Sequence, residues 1–81
     1  MKHTSDLVFV WDGLETRRAI GDVVRAAEWL TDHWPADFRG TNTHVEAMQM
    51  CVLALEGEAL DSDVRHIFVK AAREAGILAL D

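Results

Sequence analysis

The sequence is short of several things, and each shortage excludes a class of protein. It has one cysteine, Cys51, so no internal disulfide framework can staple it. A lone thiol inside an apolar segment is expected to be buried and reduced, as in a cytosolic protein. It has one proline, Pro35, and no tyrosine, which leaves three tryptophans and three phenylalanines as its aromatics. It lacks basic charge. Eight Lys and Arg face fourteen Asp and Glu, for a net charge of −6. Neither half of the chain is basic, with five bases against seven acids up to Gly40 and three against seven beyond it. Such a surface does not attract phosphate backbones or anionic lipid, so neither nucleic acid nor membrane is an expected partner. No apolar run approaches the roughly 20 residues that span a bilayer. A secretory leader is not expected either, because Leu7 to Trp11 is too short an apolar segment for one.

What remains is apolar and compact in length. Eighty-one residues, 49% of them hydrophobic, are enough for one domain spanning 1–81, with a loose polar stretch over 1–6. A chain of this size buries only about 60% of its unfolded surface, so its core must be efficient.

The segment His44 to Gly57 is the most apolar of all. At 100° per residue His44, Met48, Cys51 and Leu55 share one stripe, with Ala47, Met50 and Ala54 on one flank and Val45 and Val52 on the other. Only Glu46, Gln49 and Glu56 make a polar strip. The pattern predicts a central helix covered by other elements, started by the capping-box spacing Thr43-His44-Val45-Glu46 and stopped at Gly57.

The other elements follow in order. Leu7 to Trp11 is rich in β-branched and aromatic residues and stops at Asp12-Gly13, which predicts a hairpin returning over Leu14 to Ile20. A two- or four-residue loop puts Leu7, Phe9 and Trp11 on the face of Ile20, and an odd loop or a bulge puts Val8 and Val10 there. Asp22 caps a first helix whose stripe is Val23, Ala27, Leu30 and Trp34, stopped by Pro35. Pro35 to Asn42 reads as a loop. Asp61 caps a third helix with Val64, Phe68, Ala71, Ala72 and Ala75 inward, ended by Gly76 with Ile77 packing back. The tail Ile77 to Leu80 is too apolar to hang free and is expected to add a short third strand or to cover the helices. The fold class is therefore α+β: an N-terminal β-hairpin, three helices and a short C-terminal strand, with the helices packed on a small antiparallel sheet.

Trp34-Pro35, Cys51 with Ala54-Leu55-Glu56-Gly57, and Arg65, Phe68 and Ala71-Ala72-Arg73-Glu74-Ala75-Gly76-Ile77 resemble the domain-of-unknown-function 982 family. These are small proteins, mostly from rhizobia and related α-proteobacteria, and the similarity runs from about Val8 to Leu80. Val64 and Ile67 stand where the family usually has alanine, so the third helix is expected to pack somewhat differently. The resemblance implies a bacterial cytosolic protein with this helical core and implies no activity.

Candidate site residues are few. His44 and Cys51 share a stripe, but seven residues separate them, a rise of about 10.5 Å, so they cannot hold one ion together. Cys51 in mid-helix among methionines and leucines reads as a core thiol rather than a nucleophile. His3, His33, His44 and His66 have no ligand spacing, and no phosphate loop or nucleophile elbow is present. Catalytic residues, a metal and a cofactor are all absent from this reading. Arg17, Arg18, Arg25 and Arg39 are either a local basic patch on one side or simply solvated; without interleaved exposed aromatics they are read as a solvated face rather than a nucleic-acid site.

Trp29 is different. It lies about 110–120° off the apolar stripe of the first helix, beside His33, and either packs against the edge of the sheet as peripheral core or stays partly exposed. In the second case this pair is the candidate partner surface, because exposed tryptophans are enriched at binding hot spots. The expected function is a small acidic cytosolic module that binds another protein or itself, without catalysis. The alternative is a small-ligand sensor or carrier whose pocket, between sheet and first helices, is lined by Trp11, Trp34, His44 and Met48.

Overall fold

The structure, a computed structural model, describes residues 7–79; the stretch 1–6 and the last two residues, Leu80 and Asp81, lie outside the described residues. Strands β1 (Val8–Asp12) and β2 (Thr16–Ile20) precede three helices, α1 (Val23–Asp32), α2 (Asn42–Leu55) and α3 (Asp61–Glu74), with one 3-10 turn at Ala36–Phe38 inside the expected loop. The class is α+β, as the order of patterns predicts.

The hairpin closes through Gly13-Leu14-Glu15, and the odd loop settles its register. Val8 pairs with Ile20, Val10 with Arg18 and Asp12 with Thr16. Val8, Val10 and Ile20 therefore share the buried face, while Phe9 and Trp11 turn to the other side. Arg17 lies over the Phe9 ring at 5.3 Å on that outer face.

Among the described residues the expected C-terminal strand does not form. The tail makes a single bridge, Val10 to Leu78, beside β1. Two hydrogen bonds carry it: the Trp11 N–H donates to the Ile77 carbonyl at 2.8 Å, and the Ala79 N–H donates to Phe9 at 2.9 Å. Ile77 and Leu78 are half-buried on the core, so the tail covers the fold more than it extends the sheet.

The helix ends follow local chemistry. Asp22 caps α1 by accepting the Arg25 N–H at 2.7 Å. Gly57 and Gly76 take φ of +80° and +73° at the C-termini of α2 and α3. There the N–H of Glu58 reaches the Leu53 carbonyl and that of Ile77 reaches Ala72, the Schellman arrangement. Two expected starts are corrected. α2 is capped by Thr41, not Thr43: its hydroxyl oxygen accepts the His44 N–H at 3.2 Å and donates to the Glu74 carboxylate at 2.7 Å. α3 is entered through Leu60, whose N–H is taken by the Asp63 carboxylate at 3.2 Å, leaving Asp61 in the first turn.

α2 packs chiefly on α3 and next on α1, and α3 also touches β1. Small buried residues, Ala47 and Cys51 on α2 and Ala71 and Ala72 on α3, let these helices approach. The body measures 35 × 32 × 17 Å. A helix with its side chains is about 10 Å across, so a body this thin has no room to cover one on every side. The expectation that other elements cover all of α2 but its polar strip fails for this reason. Only His44, Ala47 and Cys51 of α2 are buried.

Candidate docking surfaces

The polar group in the core is committed to structure. His44 Nδ1 accepts the Gly40 N–H at 3.1 Å, and Nε2 lies 2.9 Å from the Leu30 carbonyl. A carbonyl only accepts and an amide N–H only donates, so the imidazole is neutral with its proton on Nε2. Leu30 is in the last turn of α1, where carbonyls have no partner within the helix. His44 supplies that partner and pins the loop through Gly40. Trp34 packs on His44 at 5.7 Å between centroids and edge-on to Phe68 at 5.6 Å. The buried Trp34 indole N–H meets no acceptor among the described residues.

Cys51 is buried and unpaired to sulfur. Burial pushes its thiol up from the ordinary 9.0, which disfavours the thiolate a nucleophile requires. Among the described residues no three of His, Cys, Asp and Glu gather as a metal site would need. Arg18, Arg25 and Arg39, read as solvated, have separate neighbours. Arg18 pairs with Asp12 at 3.0 Å, Arg25 lies 3.5 Å from Glu28, and Arg39 donates to the Trp34 carbonyl at 3.3 Å.

Of the four expected pocket residues, Trp34 and His44 are in ring contact. Trp34, His44 and Met48 border neither of two surface hollows, whereas Trp11 borders one. That hollow, of about 510 Å³, is an open groove between the hairpin tip and the end of α1, lined by Trp11, Leu14, Trp29, His33, Pro35 and Ile77 among others. Leu14 at its rim is 97% exposed. Of the two readings of Trp29 the structure has the peripheral-core one: it is only 6% exposed, its ring 5.0 Å from that of exposed His33. The hairpin tip and the Ile77 tail border the flank of α1 that the helix's own periodicity marks as open. Such cover comes from segments distant in sequence.

A second hollow, of about 280 Å³, lies where β1, β2, the start of α1 and the start of α3 meet. Val8, Ile20, Val23, Val64 and Phe68 line it, with Asp22, Asp61, Ser62 and Arg65 at its edge. Nothing in the sequence pattern marks it, because it exists only once two helix starts converge on the hairpin.

The most apolar exposed surface on a regular element is on α2. Val45 is 39%, Val52 53% and Leu55 57% exposed, and Met48 is half-buried between them and the core. Leu53, 38% exposed, stands apart from this face, beyond the polar residues Gln49 and Glu56. The apolarity of α2 on nearly every side is thus two stripes, one against the core and one facing out. The spacing of Val45, Met48, Val52 and Leu55 was the signal for it.

The family model described as protein of unknown function (DUF982) matches residues 7–79. The chain belongs to that family. No curated protein and no solved structure matches it. The family's matched span coincides with the described fold, from the approach to β1 through the tail that bridges it. Among the described residues no helix is long and apolar enough to cross a membrane.

Proposed function

We propose that the chain is a cytoplasmic protein-interaction module that acts by docking on another polypeptide and carries out no chemistry of its own. One observation carries this reading: the outward face of α2, where Val45, Val52 and Leu55 stand in solvent on a rigid helix. Leaving such a stripe in water costs roughly 25 cal/mol for each Å² a partner would cover. Single exposed apolar residues need no explanation, but an aligned row on one helix marks an interface. The engaged His44, the buried Cys51 and the net charge of −6 all support binding over catalysis and a protein over nucleic acid or lipid.

The test is affinity capture from a lysate of the source cells with the intact chain and with Val52→Glu as baits. A polypeptide retained by the first and lost by the second is expected. Equal retention by both removes α2 as the docking face.

The 280 Å³ hollow favours a second reading, a carrier of a small apolar molecule, since ligand sites are concave and mostly apolar with a few polar groups at the edge. Native mass spectrometry of protein purified without added ligand separates the two. A discrete added mass on the chain supports the carrier, and a bare chain supports the module.

A further inference from the structure

The hollow where β1, β2 and the starts of α1 and α3 meet has apolar walls and a mouth of mixed charge. Val8, Ile20, Val23, Ala26, Val64 and Phe68 form the walls, none of them more than 8% exposed, so its floor is the core itself. Asp22, Asp61, Ser62 and Arg65 stand at the edge. No residue of α2 lines it, so it is separate from the docking face. Resting on the second reading, the carrier, we propose that this hollow takes a small uncharged molecule with an apolar body and a hydrogen-bond-donating head, an alcohol or a primary amide, and turns away the matching acid and amine.

The volume sets the body. A closed apolar cavity of about 150 Å³ holds benzene. At about 280 Å³, and open on one side, this hollow has room for a ring with a short chain.

The mouth sets the head. Ionised carboxylates only accept hydrogen bonds, and Asp22 and Asp61 present two of them. One oxygen of Asp22 already takes the Arg25 N–H, and Asp61 is exposed in the first turn of α3. A head lodged here has to donate. An acid has no proton to give at neutral pH and meets two like charges. Arg65 is already engaged in an interaction of its own, so it offers that acid no unpaired guanidinium. An ammonium donates, but it meets Arg65 and the positive ends of two helices. Asp22 and Asp61 stand on those same helix ends, so the signs offset and the mouth favours neither ion. An ion would leave water here without a full partner. A hydroxyl or a primary amide carries no charge, donates to a carboxylate and accepts from Ser62 in turn.

Methyl NMR of the full chain tests this with one body and four heads: phenylpropanol, phenylpropanamide, phenylpropanoate and phenylpropylammonium, each titrated at neutral pH. Probes of about ten non-hydrogen atoms at ordinary efficiency bind with a Kd of about 0.1–3 mM. The alcohol and the amide are expected to shift the methyls of Val8, Ile20, Val23 and Val64 in that range, and the acid and the amine to bind at least about tenfold more weakly. Asp61→Asn removes one charge and keeps an accepting oxygen at an exposed site. It is expected to strengthen the acid by about threefold or more, while the alcohol stays within about twofold.

An acid or an amine that binds in the hollow as tightly as the alcohol overturns the proposed head and leaves the carrier standing. An affinity for the acid that Asp61→Asn leaves unchanged overturns the head in the same way. Shifts centred on Val45 and Val52 would place the probes on the docking face, and shifts nowhere at about 10 mM would leave no site. Either result overturns the carrier reading as well.

Discussion

His44 donates from Nε2 to the carbonyl of Leu30 at 2.9 Å, and that bond joins the first turn of α2 to the last turn of α1. With Nδ1 accepting from Gly40, one ring secures two helices and the loop between them. His44→Phe keeps a ring of similar size and leaves a buried carbonyl and an amide without partners. It is expected to cost about 2–4 kcal/mol, read from urea unfolding. A loss well under 1 kcal/mol would mean water replaces the histidine at both groups.

Trp29→Ala is expected to destabilise the fold by about 3–5 kcal/mol, because its ring is 6% exposed and its removal leaves a large void beside α1. That is a large share of the roughly 5–15 kcal/mol available to a small domain. Thermal unfolding measures it. A variant that melts with the parent would return Trp29 to the surface.

Gly57 and Gly76 are expected to respond alike to replacement by alanine. Both have positive φ, and a Cβ at either would meet nothing within 4 Å. The cost is then purely conformational, about 1 kcal/mol at each site, and a chemically synthesised chain with D-alanine at position 57 or 76 is expected to escape it. Equal losses for L- and D-alanine would point to contacts instead.

Cys51 links stability to alkaline pH. Burial raises its folded-state pKa above 9.0, so on raising the pH the unfolded thiol gives up its proton first. Its contribution is present in full below about pH 9 and is lost as the pH climbs toward the folded value. Unfolding free energies measured from pH 8 to 11 should fall with a slope that Cys51→Ala reduces. A thiol reagent at neutral pH should label the folded chain only as fast as it opens.

Features set by neighbours in sequence were legible in the chain. Asp22, Gly57 and Gly76 end or begin helices because a cap needs only its own turn. Thr43 was the misleading cue. It has the capping-box spacing, but Thr41 wins because it follows Gly40, at φ +82°, and is held by Glu74 from α3. The hairpin register depended on whether the loop was odd, which alternating apolar residues on both faces of β1 leave open. Trp29 stood open between peripheral core and partner surface because the hairpin tip and the tail that line the groove beside it are separated from α1 by other segments. The outward stripe of α2 was read as core for a different reason. Periodicity reports how apolar a face is, and the thickness of the body, 17 Å here, decides how many faces can be covered.

The bridge beside β1 also says how this unit can be carried by other proteins. Phe9 and Ala79 come from opposite ends of the described chain and stand within one hydrogen bond of each other. The two ends of the described fold thus lie close together. A host loop opened at one peptide bond could therefore accept residues 7–79 as a guest cassette, with short spacers and little distortion of either partner. Cut and rejoined at that same seam, the unit is also suited to circular permutation, with new termini in the exposed Gly13-Leu14-Glu15 turn.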